Sequence, residues 1–257
     1  MSGVHPNPYG PSGRAALAAA FAALLCIVTP GTCSTAVAAA ASAASAGASQ
    51  SELGVPSEAE RLLFLQPHLN SIREPRTLTY DYMSQAASAP RVDDHATLAL
   101  TPAPDGRCCS AHIDYLSGPL SMTLPDLDQP QGNPILMYFL ESEVRLLERT
   151  THGQAAHFRR RIRQAFADDA SIQDTTARWG GKDVSARVVH IVPFRNDPYR
   201  VRFEREAATE YWFVISEAVP GGFVRMAATL PGQPGAAPLA QRTLAIADPQ
   251  PAAPAKR

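Results

Sequence analysis

Two blocks of period-two alternation, separated by a pair of helix-period segments, constrain this chain more than any other feature. In the first block Leu78, Tyr80 and Tyr82 alternate with Thr77, Thr79 and Asp81, the signature of a strand with one face buried. His95–Thr101 repeats the pattern through Leu98 and Leu100. The loop Pro102-Ala103-Pro104-Asp105-Gly106 follows, and its Asp-Gly step predicts a hairpin with Arg107–Tyr115. A short strand is expected over Leu120–Leu124. In the second block Ser171–Trp179 and Lys182–Val192 flank Gly180-Gly181, and Glu210–Glu217 and Phe223–Leu230 flank Val219-Pro220-Gly221-Gly222. Arg242–Ala247 supplies a closing strand. Turns this tight pair strands antiparallel, and helices grouped mid-chain segregate to one face of the sheet. The predicted class is α+β.

The middle is helical. Asn133 is a good N-cap and Pro134 suits the first helical position, where its missing amide costs nothing. Leu136, Leu140, Val144 and Leu147 fall on one stripe, and Gly153 is expected to end the helix as a C′ glycine. Gln154–Asp168 predicts a second helix with Ala155, Phe158, Ile162 and Ala165-Phe166 on one face and Arg159, Arg160, Arg161 and Arg163 on the other. An earlier helix opens at Ser57, with Glu60 at capping-box spacing, and runs through Leu62, Leu63 and Leu65 until Pro67 stops it. Asp197-Pro198 predicts the start of a further short helix through Glu206.

The N-terminus reads as an address. Arg14 precedes an apolar run from Ala15 to Val28, 14 residues long, which Thr29-Pro30-Gly31 breaks. Small residues at Ser34, Ala36 and Ala38 then stand at cleavage spacing, the layout of a cleavable secretory signal. A membrane span needs roughly 20 residues, so the mature chain is not expected to be an integral membrane protein. The expected organisation is a signal peptide over 1–38, a disordered Ala/Ser-rich segment over 39–54, one domain over 55–247 and a disordered Pro/Ala tail over 248–257. Periplasmic or secreted localisation follows. Of the 23 basic residues only Arg14 precedes Ser51, leaving 22 against 24 acidic ones. That near-balance gives no bias toward nucleic acid.

Four cysteines narrow to two once Cys26 and Cys33 leave with the signal. Pro30 stands where a lipobox at Cys33 wants an aliphatic residue, which argues against lipidation. Cys108-Cys109 are adjacent, and neighbouring Cα atoms about 3.8 Å apart lie below the usual disulfide span. On an extended strand the two point to opposite faces: Cys109 inward with Ala111, Ile113 and Tyr115, and Cys108 outward with Ser110, His112 and Asp114. Cys108 is then expected to cap with a small thiol or bridge to another molecule. Alternation also separates Cys108 from His112 by about 13 Å, so no metal site is expected, and no cofactor. Glu148 and His152 are one helical turn apart without a nucleophile, and no G-x-S-x-G, H-E-x-x-H or phosphate-binding glycine loop occurs. The chain is not expected to be an enzyme; the only handle for catalysis is the cysteine pair.

This order of elements resembles the periplasmic lipoprotein-carrier superfamily, the Lol-type half-barrels, over about residues 55–247. The matching stretches are Leu78–Tyr82, the strand pair to Tyr115, the helices near Pro134–Asp168 and the closing hairpins. The segments GNPILMYFLESEVRLLER and FVISEAVPGGFVRM are also similar to those of a group of exported proteobacterial proteins, to which no activity is attached. The resemblance implies a strongly curved sheet wrapped around helices, and no functional residue carries over. A sheet lined by Leu78, Tyr80, Leu98, Ile113 and Trp212 or Phe213, covered by Leu136 and Leu140, can enclose an apolar cavity. The first expectation is therefore a non-enzymatic binding protein holding a lipid or lipoprotein acyl chain between sheet and helices. The alternative is a structural or interaction protein of the cell envelope, docking an acidic protein partner through Arg159, Arg160 and Arg163.

Overall fold

In a computed structural model, which describes residues 55–103, 105, 108–123 and 125–248, both alternating blocks become strands. The expected signal peptide, the Ala/Ser segment up to residue 54 and the tail beyond Asp248 lie outside the described residues, as does the side chain of Glu204. The elements are α1 (Glu58–Glu60), β1 (Arg76–Ala86), β2 (Ala89–Thr101), β3 (Ser110–Tyr115), β4 (Leu127–Asp128), α2 (Ile135–Thr151), α3 (Ala155–Asp168), β5 (Ser171–Trp179), β6 (Lys182–Ile191), α4 (Arg200–Phe203), β7 (Glu210–Ile215), β8 (Phe223–Leu230) and β9 (Ala240–Ile246). The fold is α+β: a curved, open, nine-stranded antiparallel sheet with helices packed against it.

Strand order is β4-β3-β2-β1-β9-β8-β7-β6-β5. The two blocks of strands therefore meet where β1 pairs with β9, in register Tyr80↔Ile246 and Tyr82↔Leu244. Cross-strand partners place Leu78 beside Leu98 and Leu98 beside Ile113. Alternation then buries Tyr80, Tyr82, Ala96, Leu100, Ala111 and Tyr115 on the same side, where the core of α2 and α3 joins them. Helices α2 and α3 contribute Ile135, Leu136, Phe139, Val144, Leu147, Phe158, Ile162 and Phe166 to that core. At about 25 cal/mol per Å² of apolar surface, burial of these side chains is the main term holding helices to sheet.

The capping box at Ser57 forms as expected: Ser57 Oγ accepts from the Glu60 amide, and Glu60 reaches back to the Ser57 amide at 2.9 Å. After Glu60 the chain loosens into a π-helical turn, Arg61–Leu65. Leu62 and Leu63 are buried in that turn, and Leu65 is 50% exposed.

Several expected boundaries move. Helix α2 starts at Ile135, with Pro134 in the N-cap position rather than the first helical one, and the expected capping side chain, Asn133, accepts from the Ile135 amide through Oδ1 at 3.1 Å. The left-handed residue that ends α2 is His152, at φ 55°, rather than Gly153. Of the stretch expected as a strand over Leu120–Leu124, Leu120 ends a 3₁₀ turn, Gly118–Leu120, and Met122 forms an isolated bridge to Tyr115, while Leu124 lies outside the described residues. Two prolines, at 119 and 125, lack the amide that a longer ladder needs there.

The cysteines also depart from expectation. Strand β3 begins at Ser110, so Cys108 and Cys109 precede it and are not held to strand alternation. They are bonded to each other across a cis peptide bond. Cys109 is fully buried and Cys108 packs partly against the core, so neither sulfur is left to seek another molecule.

Candidate ligand-binding groove

A strongly apolar concavity lies where the N-terminal segment, α2 and α3 meet. Helical spacing aligns Met137, Glu141 and Arg145 along one flank of α2, and Arg159, Arg163 and Phe166 along one flank of α3. Between these flanks lies a groove of about 740 Å³. Its floor and walls are Phe64, Tyr138, Leu140, Val144, Ile162 and Phe166, with Pro56, Leu65, Met122 and Met137 around the mouth. None of these residues belongs to the nine-stranded sheet. Leu65 and Met137 are 50% and 55% exposed, so large apolar side chains stand open at the mouth among the charged residues of the rim.

The groove is held open by contacts at its ends. Ser57 Oγ donates to the Phe166 carbonyl at 2.8 Å, and the Phe64 ring meets Phe166 edge-on at 5.2 Å. These two contacts dock the N-terminal segment on α3. Across the rim, Arg159 donates two hydrogen bonds to Glu141, at 2.9 and 2.7 Å, bridging α3 to α2. The Arg159 hydrogen bonds hold the Glu141 carboxyl below its ordinary value, and Arg145, 3.5 Å away, acts in the same direction.

The seven residues expected to contact a ligand divide unequally. Leu78, Tyr80, Leu98, Ile113, Leu136 and Phe213 are brought together, but inside the packed core, each 5% exposed or less. Leu140 is the exception, since it lines the groove from below. Trp212 lies out of phase with Phe213 and stacks on His190 at 3.8 Å.

The arginine run is split as well. Arg159 and Arg163 stand on the groove rim. Arg160 turns to His157 Nδ1 at 3.1 Å, and His157 Nε2 in turn meets Asp197 at 2.7 Å. Arg161 lies 3.1 Å from the same buried carboxylate and donates to the Pro193 carbonyl at 3.2 Å. Half of the run therefore anchors the β6–β7 connection, and half faces the groove.

A second cavity, about 500 Å³, opens between the C-terminal half of α2 and strands β1 and β9. Its wall carries Glu143, Arg149, Arg205, Glu206 and Arg242, a charged lining poorly suited to an acyl chain. Among the described residues no three His, Cys, Asp or Glu side chains cluster to hold a metal ion. No described helix is long and apolar enough to cross a membrane.

The sequence left one usable trace of the groove. Met137 sits on the polar flank of α2, in line with Glu141 and Arg145, where a solvated helix has no use for a large apolar side chain. Leu65 left none, because it lies in the π-helical turn.

No protein-family model matches the chain, and no curated protein matches it. Among solved structures, the chain is similar to the lipoprotein LppX of Mycobacterium tuberculosis, with 9% identity and a TM-score of 0.28, covering 66% of this chain and 84% of that one. It is also similar to a LolA superfamily protein from Nitrosomonas europaea, with 9% identity and a TM-score of 0.20, covering 74% of this chain and 88% of that one. Neither likeness transfers a ligand or a site residue.

Proposed function

We propose that this chain is an exported, non-enzymatic binding protein that takes an acyl chain in the groove between the N-terminal segment, α2 and α3. One observation carries the reading: an apolar concavity of about 740 Å³ with Leu65 and Met137 exposed at its mouth. Surface leucine and methionine in a single cleft gain from being covered, about 0.8 kcal/mol for each methylene removed from water. The volume falls within the range of small-molecule sites. Of the seven expected ligand residues Leu140 lines this groove, and the other six lie in the packed core. Export rests on the charged, apolar and small-residue order of the first 38 residues. An acidic protein partner on Arg159, Arg160 and Arg163 is the weaker reading, since Arg159 is engaged by Glu141 and Arg160 by His157.

Native mass spectrometry of protein purified from its own envelope tests this. The expected result is an adduct of acyl-chain mass that is lost in the Leu65→Asp, Met137→Asp double variant. Protein without an adduct and without saturable uptake of a fluorescent fatty acid would sink the reading. So would a dimer, or a contact of residues 39–54, that fills the groove instead.

A further inference from the structure

The groove presents five charged side chains, and four of them are engaged. Glu60 accepts from the Ser57 amide at 2.9 Å. Glu141 accepts two hydrogen bonds from Arg159 and stands 3.5 Å from Arg145. Arg163, one turn beyond Arg159 on α3, is exposed and has no hydrogen-bond or ion-pair partner among the described residues. Three arginines against two carboxylates leave the rim with one positive charge in excess. Arg145 and Arg159 share the Glu141 carboxylate and Glu60 is bonded to a neutral amide, so the excess belongs to the rim as a whole, and Arg163 is the guanidinium in it that no carboxylate engages among the described residues.

We infer that the ligand is an anionic amphiphile, its chain on the floor of Phe64, Leu140, Val144 and Phe166 and its carboxylate or phosphate head on the Arg163 guanidinium. The inference rests on the acyl-chain reading above and names the head that the chain carries. A guanidinium presents a planar fork that matches carboxylate and phosphate oxygens with two parallel hydrogen bonds. Its position at the edge of an apolar cleft lets a head stay in water while the chain is buried, an arrangement that suits any amphiphile. A cationic head would meet the unpaired guanidinium and be repelled. A neutral head would leave its donors to water alone.

The test uses the full chain and four probes of equal chain length: laurate, dodecyl phosphate, dodecanol and dodecyltrimethylammonium, with affinities measured by calorimetry. Laurate and dodecyl phosphate are expected to bind about tenfold tighter than dodecanol, the size of one charge-assisted hydrogen-bond pair at a partly exposed site. The cation is expected to bind weakest. Arg163→Gln is expected to bring both anions to the dodecanol affinity and to leave dodecanol unchanged. Arg163→Lys should keep part of the preference, and Arg163→Glu should turn it toward the cation. The relative affinities of laurate and dodecyl phosphate separate a fatty-acid source from a phospholipid one. Equal affinity for anions and alcohol, or a preference that survives Arg163→Gln, would overturn the inference while leaving the acyl-chain reading in place. Failure of all four probes to bind would remove both.

Discussion

Glu143 of α2 and Arg242 of β9 face each other inside the protein, joined by two hydrogen bonds of 2.7 and 2.6 Å. The carboxylate side chain is 2% exposed and the guanidinium 10%. Both are largely withdrawn from water where they line the cavity between α2 and the sheet, so the pair fixes where α2 sits on the sheet. Replacing one member leaves an uncompensated buried charge, which costs about 3–5 kcal/mol. Glu143→Leu and Arg242→Met, each alone, are expected to lower stability by that amount in urea titrations. The double variant is expected to recover most of the loss. Two single losses that simply add would show that the pair is not coupled.

Asn133 is a second fixed point. Its Nδ2 donates to the Tyr80 hydroxyl and to the Gly221 carbonyl, each at 2.8 Å, while Oδ1 caps α2. One buried side chain thus ties the start of the helix to β1 and to the β7–β8 turn. Asn133→Ala removes the cap and leaves buried polar atoms unpaired, for an expected loss of about 2–4 kcal/mol. Gly221→Ala should be comparably harmful. Gly221 has φ 78°, and an added Cβ would lie 2.7 Å from both Asn133 Nδ2 and Leu78 Cδ1. Unchanged urea midpoints in both variants would refute the role of this junction.

His68 makes stability depend on pH. Burial lowers its pKa below the ordinary 6.5, only partly offset by its bond to the Leu62 carbonyl. Nε2 donates to Leu62 at 2.9 Å, and Nδ1 accepts from the Asn133 amide at 3.4 Å, so the native ring is the neutral form. The unfolded chain then binds the proton more readily than the folded one. Stability contributed by the neutral ring is full above pH 6.5 and falls as pH drops below it, until the folded histidine protonates in turn. His68→Phe is expected to flatten this acid-side loss as pH falls below about 6.5. An identical slope in wild type and variant would exclude His68 as its source.

His112 shifts the other way. The hydrogen bond to Asp126 at 2.6 Å raises its pKa above 6.5, with Asp114 adding to the effect. A raised folded value means that the contribution is present below the unfolded pKa and lost as pH climbs through the folded one. Proton NMR of the ring should place its titration above 6.5, and Asp126→Asn should return it toward that value. A wild-type midpoint at or below 6.5 contradicts the Asp126 contact.

Met137→Asp with Leu65→Asp addresses the groove without touching the core. Both residues are more than half or half exposed, so melting temperature is expected to stay within about 2 °C, the response to a surface change of a few tenths of a kcal/mol. Affinity for a fluorescent fatty acid is expected to fall at least about tenfold, as charge replaces apolar surface at the mouth. Retained affinity would move the ligand elsewhere in the molecule.

Local sequence was sufficient for the long strands, the helical pair and the α+β class, though not for the Leu120–Leu124 stretch or the two-residue β4. Alternation in Leu78–Tyr82 and in Phe223–Leu230, and the stripe through Leu136, Leu140 and Val144, each report which side of an element is buried. Burial of a face is a local property, repeated every two residues in a strand and every three or four in a helix. The Ser57–Glu60 capping box was legible for the same reason, because both partners lie within one turn.

The pairing of β1 with β9, the Glu143–Arg242 bond and the groove were set by three-dimensional packing. Tyr80 and Ile246 are far apart in sequence, and nothing within either strand names the other. Arg242 reads as one more polar residue in a strand until Glu143 is placed opposite it. The groove depends on the π-helical turn that carries Leu65 and on the spacing between two helices, neither of which a periodic pattern encodes. Periodicity tells a residue which way to face. Which neighbours it meets there follows from how separate elements settle against one another, and the groove is the space that this packing leaves between α2 and α3.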